Sequence, residues 1–141
     1  MKNTIGNFRI FAILVAIVLL TVGCRTFEPV NISLDGIWDR GDIIITITGN
    51  NAIFSQINPN TNWQIVENNG LIRIGDLKLR NITQAGPLRW TAQELLFSYD
   101  GYTISGWENS TITMNRDGRS IRIQTGGSNT KNPENTYARI R

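Results

Sequence analysis

The feature that most constrains the fold of this chain is a run of short strand-forming segments separated by compact turn signals. Residues 43–48 are all β-branched, and side chains of that shape favour strands. Gly49-Asn50-Asn51 interrupts the pattern and residues 52–57 resume it, which predicts a hairpin. Two-residue hairpin turns need positive φ, and Asn-Gly or Asp-Gly pairs supply it. Such pairs recur at Asn69-Gly70, Asp100-Gly101 and Asp117-Gly118.

Each of these later turn signals also predicts which residues face one another across its hairpin. The turn at 69–70 places four apolar residues on one sheet face: Trp63, Ile65, Ile72 and Ile74. The turn at 100–101 pairs Tyr99 with Tyr102 and Phe97 with Ile104. The turn at 117–118 pairs Met114 with Ile121 and Ile112 with Ile123. One apolar face and one mixed face are typical of a half-solvated antiparallel sheet.

The stretches between these hairpins carry weaker patterns. Gly75-Asp76 is predicted to form a bulge or tight turn, and residues 81–87 a loop. A strand is expected from about Leu95, with one helical turn at 91–94 as the alternative. Residues 126–134 are predicted to be a polar loop and residues 136–141 a closing strand.

About eight short strands with almost no helix predict an all-β sandwich or barrel. Successive hairpins favour a small antiparallel up-and-down barrel. Pairing of the last strand with the first would close the sheet and remove its exposed edges. Gly75, Gly106 and Gly126 are expected to supply kinks where the sheet curves.

A short apolar segment precedes the strand-rich region. Residues 10–23 carry no charge and follow the basic residues Lys2 and Arg9. Roughly 20 apolar residues of helix are needed to span a bilayer, so these 14 suit the apolar region of a secretory signal peptide better. A simple N-terminal membrane helix is the alternative.

Leu20-Thr21-Val22-Gly23-Cys24 resembles the lipobox of bacterial lipoproteins. The resemblance implies that the Cys24 thiol receives a diacylglycerol, that a peptidase cuts between Gly23 and Cys24, and that the new amine is acylated, with palmitate as an expected acyl chain. Two or more acyl chains anchor a protein stably. Arg25 stands where an aspartate would signal retention in the inner membrane, so the analogy implies the outer membrane of the cell envelope.

These features predict three regions: a lipoprotein signal peptide over residues 1–23, a lipidated cysteine with a tether over 24–34, and a barrel domain over 35–141. Cleavage would leave 118 residues, enough for a core without disulfides. It would also remove Lys2 and Arg9, leaving 12 basic against 11 acidic side chains. A nucleic-acid-binding domain shows a concentrated basic surface, so no nucleic-acid partner is expected.

Composition excludes several kinds of catalytic site. The chain has no histidine and one cysteine, which rules out Ser-His-Asp and Cys-His catalysis and metal sites built on imidazole or thiolate. We expect no metal, no cofactor and no enzymatic activity. The remaining enzymatic alternative is a carboxylate-pair glycan hydrolase using Asp100 and Glu108, which no motif supports.

Gly36-Ile37-Trp38 is similar to the Gly-x-Trp motif of lipocalins, and the terminal Thr-Tyr-x-Arg strand is similar to that of small bacterial lipocalin-like lipoproteins. The resemblance implies that Trp38 closes one end of an eight-stranded barrel. It also implies that a late arginine, Arg139 or Arg141, packs over the tryptophan through a cation–π contact.

Two functional hypotheses follow for such a domain. An eight-stranded barrel can hold one small ligand or be filled by its own side chains. If it holds an apolar ligand, the candidate lining residues are Trp63, Trp90, Phe97 and Trp107. If these aromatics pack a filled core, the domain is a structural or interaction protein that contacts an envelope partner through its polar surface. The sequence predicts binding or interaction at the membrane and leaves the two open.

Overall fold

Eight antiparallel strands close into a barrel in the computed structural model, which describes residues 32–98, 102–126 and 136–140. The strands are β1 (Gly36–Asp39), β2 (Ile43–Thr48), β3 (Asn51–Ile57), β4 (Leu77–Gly86), β5 (Arg89–Phe97), β6 (Ile104–Met114), β7 (Ser120–Thr125) and β8 (Thr136–Ile140). One helix, α1 (Asn62–Asn68), connects β3 to β4. Within these ranges no helix is long and apolar enough to cross a membrane.

The strand order confirms the predicted up-and-down barrel. Each strand pairs with the next, and β8 pairs with β1 through Ile37–Ile140 and Trp38–Arg139. Because the last strand closes onto the first, the sheet has no open edge at which another chain can add a strand.

The hairpin predicted about residues 49–51 forms between β2 and β3 and turns at Gly49-Asn50, with Thr48 opposite Asn51. In the β6–β7 hairpin, Met114 faces Ile121 and Ile112 faces Ile123, as predicted. Phe97 also faces Ile104 as predicted, whereas Tyr99 and Asp100-Gly101 lie outside the described residues.

The predicted hairpin about Asn69-Gly70 is wrong, because residues 62–68 form helix α1. The Thr61 side chain accepts a hydrogen bond from the Gln64 backbone N–H at the start of this helix. A Ser or Thr followed three residues later by Glu or Gln is a capping pattern, and it favoured a helix here. Asn69 caps the other end, and Gly70 leaves the helix with φ of 72°. The Asn-Gly pair therefore ends a helix and does not join two strands.

The predicted loop over 81–87 and the predicted strand start near Leu95 are also wrong. Strand β4 continues to Gly86 and β5 begins at Arg89, so only residues 87–88 form the connection. Asn81 adopts φ of 56° inside β4, beside a shift in the β4–β5 register. Asparagine tolerates this conformation, so a bulge bends the strand without ending it.

The kinks predicted at glycines fall in two kinds of place. Gly106 has φ of 117° and lies opposite Leu96, where the β5–β6 register shifts. Gly75, with φ of 96°, belongs to the turn before β4, and Gly126 follows β7. Of these three glycines, only Gly106 lies within a strand and can curve the sheet there.

Large side chains fill the barrel interior. The largest apolar ones with under 2 % exposure are Trp38, Ile43, Ile45, Ile47, Phe54, Ile72, Leu79, Ile112, Ile121, Ile123 and Tyr137. The register shift between β3 and β4 buries two successive residues, Lys78 and Leu79. The interior is therefore largely occupied by the chain itself, with one lysine among the apolar groups.

One end of the barrel, here called the closed end, is covered by residues that precede β1. The Trp38 indole N–H donates to the Leu34 carbonyl at 3.0 Å, and Leu34 is buried. The Arg139 guanidinium lies 4.5 Å from the Trp38 ring centroid and donates to the Ser33 carbonyl at 2.7 Å. The last residues of the predicted tether, 32–34, thus pack against the barrel.

Candidate functional site

Polar side chains converge at the opposite end of the barrel, here called the α1 end. Strands β1, β3, β5 and β7 finish there, and helix α1 joins β3 to β4 at the same end. Lys78 comes from the start of β4, Glu94 from the second half of β5, and Arg40 from the turn after β1. The fold therefore gathers charges from three separate parts of the chain.

The centre of this cluster is a buried ion pair between Lys78 and Glu94. The Lys78 ammonium lies 2.8 Å from Glu94 Oε1 and also donates to the Leu95 carbonyl at 3.0 Å. Thr125 donates its hydroxyl proton to Glu94 Oε2 at 2.5 Å. The two charged side chains are 2 % and 8 % exposed. Such a pair requires full hydrogen bonding, since desolvation of both charges opposes their attraction.

Burial lowers the pKa of Lys78, and the Glu94 carboxylate beside it raises that pKa in part. Burial and the ion pair therefore act on the pKa of Lys78 in opposite directions. Arg40 has a different balance. Burial lowers its pKa, but its two-pronged contact with Asp42, at 2.7 and 2.6 Å, brings the pKa above the ordinary value.

Trp63, carried by α1, covers the ion pair. Its ring packs against Phe54 and Phe97, with centroid distances of 5.4 and 5.5 Å. The Lys78 ammonium lies 4.6 Å from the same ring, and the Arg40 guanidinium 5.4 Å. The indole is therefore in contact with both aromatic groups and cations, which suits the quadrupole of its π-face.

Two buried hydroxyl groups near this cluster have no hydrogen-bond partner among the described residues, those of Ser110 and Tyr137. Ser110 lies opposite Ala92 on one side and Thr125 on the other, so it shares the inner face with Glu94. Tyr137 lies near Arg40, whose guanidinium is 5.6 Å from the phenol ring, and burial raises the pKa of its hydroxyl. An unsatisfied buried polar group costs about 1–3 kcal/mol, so each hydroxyl lowers the stability of the fold unless another group bonds to it.

The structure separates the four aromatics predicted to line a pocket. Trp63 and Phe97 meet at the α1 end, whereas Trp90 is buried near the start of β5, toward the closed end. Trp107 lies opposite Leu95, one position out of phase with inward Glu94, so it faces outward. The Arg80 guanidinium stacks on it at 4.2 Å. Trp107 is half-buried and packs against the hydrophobic core, so its role in lining a ligand site stays a prediction.

Several other predicted residues lie outside the described ranges: Gly23, Cys24, Asp100 and Arg141. Glu108, the second residue of the hydrolase alternative, is exposed and lies opposite Glu94. Within the described ranges, no three acidic side chains come together to hold a metal ion.

The sequence analysis missed Lys78 and Glu94. A signal was present for both, because Lys78 interrupts Leu77 and Leu79, and Glu94 precedes two leucines. A charge inside an apolar strand segment indicates either an outward position or a buried pair. Alternation alone places Lys78 outward, and only the bulge between β3 and β4 turns it in.

The chain matches no protein-family model, and comparisons with curated proteins and with solved structures gave no significant match. Fold and site together define the class: a small closed lipocalin-like barrel with one end covered by residues 32–34 and the other end charged and capped by a helix that carries Trp63.

Proposed function

We propose that this chain is a lipoprotein of the bacterial cell envelope, anchored in the outer membrane through lipid on Cys24, whose barrel binds a small amphiphilic ligand at the α1 end. The anchoring half of the proposal rests on the lipobox-like residues 20–24 and the signal-like segment before them. The binding half rests on one observation: the buried Lys78–Glu94 pair lies beneath Trp63, near two hydroxyls that have no hydrogen-bond partner in the part of the chain that the structure describes.

The chemistry of the α1 end favours an amphiphile over the purely apolar ligand expected from the sequence. Large side chains fill the interior, so a long apolar chain has little room there. A ligand entering beneath Trp63 meets apolar surface from Phe54 and Phe97 and then polar atoms. Ligand sites typically combine an apolar lining with a few polar groups that fix orientation. A polar head group with an apolar portion satisfies both parts.

Helix α1 is suited to open and close over this site. It has seven residues, and Val66 is the only one of them that is fully buried. Isolated helices of this length are unstable in water, and locally unstable segments open without unfolding the rest. We expect α1 to move as a unit while the strands keep their pairing.

The second candidate function is a filled barrel that contacts an envelope protein and holds no ligand. The near-zero exposure of the interior side chains favours this second function, because a core packed in this way leaves little room for a ligand. In that case α1 stays packed over this end of the barrel, and the ion pair contributes only to the stability of the fold.

Titration with eight-carbon amphiphiles separates the two candidates. Full-length protein in nanodiscs would be titrated with octanoate, octylamine and octanol, with empty nanodiscs as the baseline. The proposal predicts saturable binding of at least one of them and at least a tenfold loss in Trp63→Ala. The matched control Trp107→Ala, on the outer face, should bind as the wild type does. No saturable binding, or equal loss in both variants, would contradict ligand binding and favour the filled barrel.

A further inference from the structure

A second candidate site lies on the outer face of β4 to β7, away from the ion pair. It is a groove of about 520 Å³. Its outward side chains are those of Asn81, Thr91, Gln93, Asn109, Thr111 and Gln124, and it also reaches Ala92, Ser110 and Gly126. Their cross-strand pairs, Thr91–Thr111 and Gln93–Asn109, alternate with the inward pair Trp90–Ile112. The groove is therefore built on the outward side of rigid strands, where side-chain positions are better fixed than in loops.

The lining of this groove mixes polar and apolar surface, and its described side chains carry no charge. Amide and hydroxyl side chains stand beside apolar groups such as Ala92, with no lysine, arginine, aspartate or glutamate among the described residues that line it. Solvated protein surfaces normally carry roughly a quarter to a third charged residues. A primary amide offers two donors and an acceptor, and a hydroxyl offers one donor and an acceptor. Such a surface matches ligands that both donate and accept hydrogen bonds.

This chemistry argues against the other common ligand classes. A nucleic acid or an anionic polymer needs a basic lining to neutralise its charges. An apolar ligand needs apolar surface. A neutral polyhydroxyl chain needs neither, and its hydroxyls pair with amides and hydroxyls of the protein.

Two neighbouring side chains hold the groove's Gln93 in a fixed orientation. Arg80 donates to Gln93 Oε1 at 2.9 Å, and Asn81 donates to the same oxygen at 3.1 Å. Both bonds use the oxygen, which directs the Gln93 amide nitrogen toward other acceptors. Arg80 also stacks on Trp107, two residues before Asn109 on the same outward row. An aromatic ring at the border of a polar groove offers apolar contact to the C–H face of a sugar ring.

The groove continues across the sheet. A neighbouring groove of about 420 Å³ shares Gln124 with the first. It is lined further by Thr113, Asn115, Ser120, Ile121, Arg122 and Thr136, so this part carries one charged side chain. Each groove has the volume of a small-ligand site. Two such grooves joined at Gln124 fit an extended chain better than a single compact molecule.

We propose that this outer groove binds an uncharged stretch of an oligosaccharide chain. Its outward side chains, among them Gln93 and Asn109, project from the outer face of the sheet, whereas Trp63 packs at the α1 end. A lipid-anchored barrel with this surface would hold a glycan and the membrane close together.

The test uses full-length protein in nanodiscs and two neutral tetrasaccharides, chitotetraose and maltotetraose, followed by calorimetry and by ligand-observed NMR. We expect saturable binding of at least one of them, and at least tenfold weaker binding by Gln93→Ala and by Asn109→Ala. The matched control is Gln56→Ala, which removes an exposed amide from β3 outside the groove and should change binding by less than twofold.

Two further binding measurements distinguish this groove from the α1 end and a neutral ligand from an acidic one. Trp63→Ala should bind the tetrasaccharide as the wild type does, so failure at the α1 end and failure here remain distinguishable. An acidic tetrasaccharide, tetragalacturonate, should bind no better than the neutral ones. Absence of saturable binding to both neutral sugars, or an equal loss in Gln56→Ala, would overturn the proposal, as would a preference for tetragalacturonate.

Discussion

The Lys78–Glu94 pair is the residue-level feature on which both the fold and the proposed binding site depend. Removing one partner from a buried ion pair leaves an uncompensated charge and is strongly destabilising, whereas removing both costs much less. The pair therefore behaves as a unit, and its two members are best examined together.

Lys78→Met is expected to lower the free energy of unfolding by about 3–5 kcal/mol, because Glu94 keeps its buried charge and retains only the Thr125 hydrogen bond. In Lys78→Met/Glu94→Gln the charge is gone and the Thr125 bond is kept, so we expect recovery of most of that loss. Guanidinium unfolding at pH 7 measures both. A double variant no more stable than the single one would show that the charge pair is not the cause.

Tyr137 makes a second residue-level prediction, this one dependent on pH. Burial raises the pKa of its hydroxyl above the ordinary value of 10.0, so the unfolded chain ionises first as pH rises. The ionisation of this group leaves the free energy of unfolding unchanged below pH 10 and lowers it as pH rises beyond 10, with a slope of about 1.4 kcal/mol per pH unit. The difference in unfolding free energy between wild type and Tyr137→Phe isolates this contribution.

At pH 7 we expect Tyr137→Phe to be as stable as the wild type or more stable, because it removes an unsatisfied buried hydroxyl. Above pH 10 the wild type should lose stability relative to the variant. Urea unfolding of both proteins from pH 7 to 11 measures the difference. A difference that stays constant over this range would show that the hydroxyl titrates normally.

At the scale of elements, turn chemistry predicted the strands well and failed where a second local signal competed. Gly49-Asn50 joins β2 to β3 where a hairpin was predicted, and Asp117-Gly118 joins β6 to β7 in the predicted register. Asn69-Gly70 has the same chemistry but follows Thr61, whose side chain caps a helix. Trp63 and Val66 are three residues apart and contact the barrel from one face of the helix. Over so short a segment, this helical spacing is hard to distinguish from the alternation of a strand.

The cap of α1 gives the element-level prediction. Thr61→Ala should cost the helix about 1 kcal/mol, since a lost N-cap typically costs that much. Hydrogen exchange of the amides in 62–69 should therefore be about fivefold faster, while amides of β5 and β6 remain unchanged. Thr61→Ser, which keeps the hydroxyl, is the control. Equal acceleration in the strands would mean that α1 does not open separately from the barrel.

At the scale of the whole molecule, periodicity and turn spacing sufficed to predict the closed barrel, including the pairing of β1 with β8. The site at the α1 end was not predictable in the same way. Its members lie far apart in sequence, and Lys78 faces inward only because of a bulge that no local pattern indicated. Trp107 faces outward because it lies opposite Leu95 of β5. The sequence predicted that β5 starts near Leu95, whereas it starts at Arg89, so this pairing was not predictable.

The most direct test of the central claim, a lipid-anchored barrel that holds an amphiphile at its α1 end, is native mass spectrometry of the full-length protein recovered gently from bacterial membranes. We predict a polypeptide that begins at Cys24 and carries covalent acyl groups. We also predict a second, smaller added mass from a non-covalently bound ligand. It should be reproducible, be lost on denaturation and be absent from Trp63→Ala. A chain that retains residues 1–23 without acyl groups would contradict the anchor, and a lipidated chain with no such added mass would contradict the binding site.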